Sequence, residues 1–182
     1  VHPSKDYFIS CGLDSKWSFY DFESGKSIVD AVDPEYTSGK RHKGKQGLYY
    51  RMTDLCVFKG YTSIQFHPDG MILGAGTVDS AVRIWDVKSQ SIAATFGEHT
   101  GKVNALAFSE NGYILATASE DNIVKIWDLR KLSNTKSFTL DDGFKINSLS
   151  FDYYGQYLAV GGSGVRILKA KDGSSLASFN DN

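Results

Sequence analysis

The stretch Ser109-Glu110-Asn111-Gly112-Tyr113-Ile114-Leu115-Ala116-Thr117-Ala118-Ser119-Glu120-Asp121-Asn122-Ile123-Val124-Lys125-Ile126-Trp127-Asp128 decides the fold, because its pattern occurs more than once. Pro68-Asp69-Gly70, then Asp79, then Val82-Arg83-Ile84-Trp85-Asp86 repeat it upstream in the same register. A fixed period of roughly 40–45 residues built from short strands points to the blades of a β-propeller. The fold class expected is all-β, with four-stranded antiparallel blades.

Within the unit that holds this stretch, Val103 to Phe108 reads as a first strand and Asn111-Gly112 as the hairpin turn after it. Tyr113 to Ser119 is the second strand, Asp121-Asn122 the next tight turn, Ile123 to Leu129 the third strand, and Lys136 to Leu140 an outer fourth. The inner strands are apolar on both faces, with Val103, Ala105 and Ala107 opposing Leu106 and Phe108, so neighbouring blades must cover both sides. Gly74, Ala75, Gly76, Ala116 and Ala118 fall in second strands, where converging blades leave little room.

Outward from this unit the chain divides into a partial blade at 1–32, an insertion or loop at 33–60, blades at 61–96 and 97–140, and a degenerate blade at 141–182. In the first of these Tyr20 follows Asp14 at the spacing by which Trp85 follows Asp79 and Trp127 follows Asp121. In the last, Leu168 replaces the tryptophan, Ser163-Gly164 stand where the aspartate would be, and the second hairpin is two residues shorter. About four blades result. The opening at Val1, partway through a unit, leads us to expect a longer parent protein.

Composition adds bounds. Lys and Arg number 20 against 21 Asp and Glu, so no strong charge selects nucleic acid or membrane as a partner. No apolar run is long enough to span a bilayer, and no secretory leader is recognisable. Cys11 and Cys56 lack paired spacing, which fits a reducing compartment and supports neither a disulfide framework nor a zinc cage.

The residues Glu98-His99, Asp121 and Trp127-Asp128, with Asp79 and Trp85-Asp86, resemble the WD-repeat family. That resemblance implies a propeller, commonly of seven blades, and a hydrogen-bonded clasp in each regular blade. Here the clasp would comprise His99, Thr117 or Ser119, Asp121 and Trp127, with Asp79, Trp85 and Asp14 as counterparts in other units. A turn aspartate in a dry site needs donors, and an imidazole and a hydroxyl can supply them.

The run from Phe108 to Gly162, with Phe66-His67-Pro68-Asp69-Gly70, is similar to the propellers of a family of spliceosome-associated U-box ubiquitin ligases. That likeness implies a nuclear scaffold whose partners are splicing and ubiquitin-pathway proteins. Catalysis in that family belongs to the U-box, and oligomerisation to a coiled coil; neither is found in these residues. A WD-repeat scaffold of another complex is the alternative.

Residues 33–60 depart from the array. Lys40, Arg41, Lys43 and Lys45 form a basic cluster beside Tyr49 and Tyr50, a candidate import or RNA-binding patch. A solvated loop is the plainer reading, and a segment foreign to the fold, from an isoform or gene-model insertion, is a third. The co-occurrence of Asp, His and Ser in the third unit raises a hydrolase triad, but these residues recur at clasp positions rather than around a pocket. Gly74-Ala75-Gly76 lacks a third glycine and a following helix, and His2, His42 and His67 show no ligand spacing, so no cofactor or metal is expected. Arg83, Lys125 and Arg166 share one position in the third strands and read as a row on blade surfaces. Leu13, Val78 and Glu120, next to the second hairpin, and nearby Lys102 are the candidate partner contacts.

Overall fold

A computed structural model describes residues 1–34, 42–43, 49–50, 60–141 and 143–179. The first sheet pairs β1 (Tyr7–Cys11), β2 (Lys16–Asp21) and β3 (Ser27–Val32). Two short strands, β4 (His42–Lys43) and β5 (Tyr49–Tyr50), pair with each other. The second sheet holds β6 (Tyr61–Phe66), β7 (Ile72–Thr77), β8 (Val82–Asp86) and β9 (Ser91–Phe96). The third holds β10 (Val103–Phe108), β11 (Ile114–Ser119), β12 (Ile123–Asp128) and β13 (Ser133–Thr139). The fourth holds β14 (Ile146–Phe151), β15 (Tyr157–Gly162), β16 (Val165–Lys169) and β17 (Ser175–Phe179). Each of these four large sheets is an antiparallel meander, the arrangement of an incomplete WD-repeat propeller.

The hairpins are built from residues that accept a left-handed backbone. In the first hairpin of successive sheets Gly70, Gly112 and Gly155 have φ of 74°, 74° and 67°. In the second hairpin the residue after the turn aspartate takes this role: Ser15 at 63°, Ser80 at 64° and Asn122 at 60°. Gly112 is required twice over, since a Cβ there would also fall 2.6 Å from the His67 ring, whose Nε2 donates to the Gly112 carbonyl at 2.7 Å. First hairpins of adjacent sheets are thereby interlocked.

The core lies in three seams between sheets. Trp17, Ala31, Tyr61, Leu73 and Trp85 fill the first seam; Val82, Phe96, Val103, Leu115 and Trp127 the second; Ala116, Val124, Ile146, Leu158 and Leu168 the third. In β11 and β12 residues on both faces are buried, whereas the outer β13 alternates between exposed and half-buried positions. Small residues permit this closeness: a Cβ on Gly76 would fall 2.7 Å from Val103 Cγ1 of the next sheet. Trp127 stacks on Phe96 of the preceding sheet at 4.6 Å, and Leu168 takes the equivalent place in the fourth.

In the third sheet the third and fourth strands end one residue before the sequence expectation, at Asp128 and Thr139, and two strand starts also differ. The second strand of the third sheet begins at Ile114, since Tyr113 turns outward and Arg130 lies over its ring at 4.8 Å. The fourth strand begins at Ser133, three residues before Lys136, because Leu132 turns left-handed with φ of 50° and returns the chain at once.

Candidate interaction face

The second hairpins and the connections between sheets lie at one end of the array, and a hydrogen-bonded chain holds that end in the third sheet. Trp127 Nε1–H donates to Thr117 Oγ1 at 2.8 Å, and Thr117 Oγ1 lies 2.8 Å from His99 Nε2. His99 Nδ1 is 2.9 Å from Asp121 Oδ2, a carboxylate that can only accept, so Nδ1 carries the proton. Thr117 then donates its hydroxyl proton to Nε2, and the four side chains form one relay ending on the turn aspartate. Of the two hydroxyls that the sequence left open, Thr117 is the member. Ser119 Oγ instead accepts the Asp121 amide at 3.3 Å.

Asp121 also accepts the amides of Thr100 and Ile123, each at 3.0 Å. It thus ties the connection that enters the third sheet to the turn between β11 and β12. Burial pushes the His99 ring below its ordinary pKa despite the neighbouring carboxylate, consistent with a neutral imidazole in the relay. Burial acts to raise the Asp121 carboxyl, but the Thr100 amide and the His99 ring outweigh it, and its pKa lies below the usual carboxylate value.

The other units are built differently. In the second sheet Ala75 pairs with Arg83 as Thr117 pairs with Lys125, so the strand position that carries the clasp hydroxyl in the third sheet holds alanine. Thr77, the counterpart of Ser119, bonds instead with the Ala81 backbone at 2.8 and 3.0 Å. Asp79 lies 3.9 Å from Arg83. Asp14 is exposed and accepts the Lys16 amide at 3.3 Å.

The candidate contact residues all sit at this end. Leu13 is exposed on the β1–β2 turn, and its backbone lies against Gly60 so closely that a Cβ there would fall 2.2 Å from Leu13 Cα. Val78 is half-buried on the β7–β8 turn, its amide donating to Gly60 O at 2.9 Å. Glu120 makes the same bond to Lys102 O at 2.9 Å, and the side chains of these two residues lie 3.8 Å apart. The turns are therefore placed by a repeated backbone bond, while their side chains reach solvent.

Below the turns runs a series of ion pairs that the sequence reading missed. Arg83 Nη1 lies 2.7 Å from Asp33 Oδ2, Lys125 Nζ 3.6 Å from Glu98, and Arg166 Nη2 2.5 Å from Asp141. Each base stands in a third strand and each acid in the connection leading into that sheet. The row expected on blade surfaces is thus corrected: Arg83 is only 1% exposed, Asp33 is fully buried, and the Tyr61 hydroxyl donates to Asp33 at 2.7 Å. Burial and the adjacent carboxylate push the Tyr61 hydroxyl pKa upward, keeping it a donor. Glu98 and Asp141 each stand five residues before a first strand, a signal visible in the sequence. Asp33 was hidden because residues 34–60 separate it from Tyr61.

Lys40, Arg41 and Lys45 of the candidate basic patch lie outside the described residues; Lys43 falls in β4, described by its backbone. Cys11 is half-buried, and burial together with Asp14 pushes its thiol up to about 11, so it is not a thiolate nucleophile.

The WD domain, G-beta repeat family matches residues 53–86 and 90–128. Over 181 residues, 100% of this chain, the sequence is 44% identical to pre-mRNA-processing factor 19 of Bos taurus, covering 32% of that protein. It is 46% identical over 167 residues to pre-mRNA-processing factor 19 homolog 2 of Arabidopsis thaliana and 45% identical over 168 residues to pre-mRNA-processing factor 19 of Homo sapiens. Those matches cover 92% of this chain and 27% and 29% of the respective relatives. The chain spans about a third of the length of the curated relatives it matches. With its repeated meander sheets and two matched repeats, the chain carries WD repeats and is similar over its whole length to part of pre-mRNA-processing factor 19.

Proposed function

We propose that the chain is a protein-interaction scaffold in pre-mRNA processing. The observation that carries this reading is the 44% identity to pre-mRNA-processing factor 19 across the entire chain. The physical setting agrees: the clasp and the repeated backbone bonds hold the second hairpins rigidly, and a preorganised surface loses little entropy on binding a partner. Leu13, Val78, Lys102 and Glu120 are the contacts proposed on that face. We assign the protein to the nucleus and to recruitment for a ubiquitin-ligase assembly, with oligomerisation supplied outside these residues.

The test is affinity capture from nuclear extract with the full-length protein. Recovery of splicing and ubiquitin-pathway components is expected; recovery of unrelated complexes alone rejects the reading. Charge reversal at Lys102 and Glu120 together with Leu13→Asp should reduce capture at least about tenfold if this face binds.

A further inference from the structure

A second surface lies at the opposite end, where strand residues of the third sheet face the first and third hairpins of the fourth across a cleft of 560 Å³. Its apolar floor is formed by Ile114 and Ile126, and Gly155, Gln156 and Tyr157 form the far wall. Three cations surround the floor: Lys136 from β13, Lys169 at the end of β16 and Lys171 in the turn that follows. Among the described residues no acid lines the cleft. The adjacent Asp172 is engaged by Ser174, whose side chain and amide hold its carboxyl below the usual range, with Lys169 and Lys136 adding to the effect. Both walls belong to described strands that already share a packed seam, so neither is an open sheet face awaiting a neighbour.

We propose that this cleft docks an acidic linear segment of a partner protein, with one aliphatic or aromatic side chain seated on Ile114 and Ile126. Charge complementarity selects the segment: three lysines against one acid give a positive rim that attracts and orients carboxylates. The apolar floor supplies the desolvated pocket that an anchor residue needs. A single-stranded nucleic acid would share the charge requirement, but its bases need aromatic platforms, and among the described residues Tyr157 is the one aromatic in the lining. This site rests on the reading of the chain as a protein-docking array, and it adds a location and a partner chemistry to that reading.

The experiment uses the full-length protein and a fluorescein-labelled peptide of about ten Glu and Asp residues with a central leucine. Anisotropy titrations should show micromolar binding that the double variant Lys169→Glu/Lys171→Glu weakens at least about tenfold. Gln156→Trp, which fills the cleft and leaves every charge in place, should weaken it about fivefold, as should replacing the peptide's leucine by serine. Both variants alter exposed positions, and an unchanged melting temperature verifies that the fold is intact. Equal binding by the double variant, indifference to the anchor, or preference for a uridine decamer over the peptide would overturn the proposal. Wild-type protein that captures processing factors but ignores the peptide overturns this site alone. Loss of the processing factors as well removes the reading beneath it.

Discussion

At the residue scale, Asp121 ties the third sheet to the connection that enters it, because its two oxygens serve three backbone and ring donors. Asp121→Ala leaves those donors in a site largely closed to water. The expected cost is about 2–4 kcal/mol, read as a fall in the urea midpoint of the full-length protein. The neighbouring His99 makes this clasp sensitive to acid. Its pKa in the fold lies below the unfolded value near 6.5, so stability is full above that value. As pH falls below about 6.5 the unfolded chain gains a proton that the fold resists, and stability declines; Asp121 adds a further loss below about pH 4. His99→Gln should lower stability at pH 7.5 yet flatten its decline between about pH 6.5 and 5, measured by denaturation at each pH. The participants in this clasp were legible from residue type and spacing. Which hydroxyl joined it was not, since Thr117 and Ser119 lie two apart on the same face of one strand, and only the inter-strand register separates them.

At the scale of the element, hairpins and connections follow from local chemistry, while the ion pairs beneath them depend on how sheets stack. Asp33 directly follows the outer strand of the first sheet, in the connection, and Arg83 stands in the third strand of the second, so their pairing joins two blades. Removing one partner of so buried a pair takes the nearest opposite charge from the other, and for Arg83 the carboxylate of Asp79 at 3.9 Å is more distant. Asp33→Ala should therefore cost about 3–5 kcal/mol, whereas Glu98→Ala, whose pair is half open to solvent, should cost less than about 1. Asp33→Ala combined with Arg83→Met should recover more than half of the loss, as a double-mutant thermal melt would show. The strands themselves were readable because both-face apolarity and turn residues alternate along each unit. Their ends shifted by one to three residues where Tyr113 and Leu132 adopted turn geometry that their side chains do not announce.

At the scale of the whole molecule, the ion-pair series relates residues 34–60 to the array. The acid of the second unit is Asp33 and its first strand opens at Tyr61, so the register is continuous on either side of this stretch. We expect deletion of residues 40–59 to preserve the fold and to stabilise the full-length protein by about 1 kcal/mol, because a shorter connection loses less closure entropy. Circular dichroism melts of the two forms would check this, and collapse of the deleted form would show that the segment is part of the fold. If the deleted form also keeps its affinity for RNA unchanged across a salt titration, the basic residues 40–45 are not an RNA site. By itself the sequence determined the blade period, the strand order and the need for covered faces, since these follow from side-chain pattern and turn residues close together in the chain. Only the tertiary structure decided that Arg83 is buried on Asp33, that the clasp is complete in the third sheet and differently built in the others, and that three lysines gather around an apolar cleft. Each of these joins residues from different strands or sheets, and their energies depend on burial and distance, which packing sets.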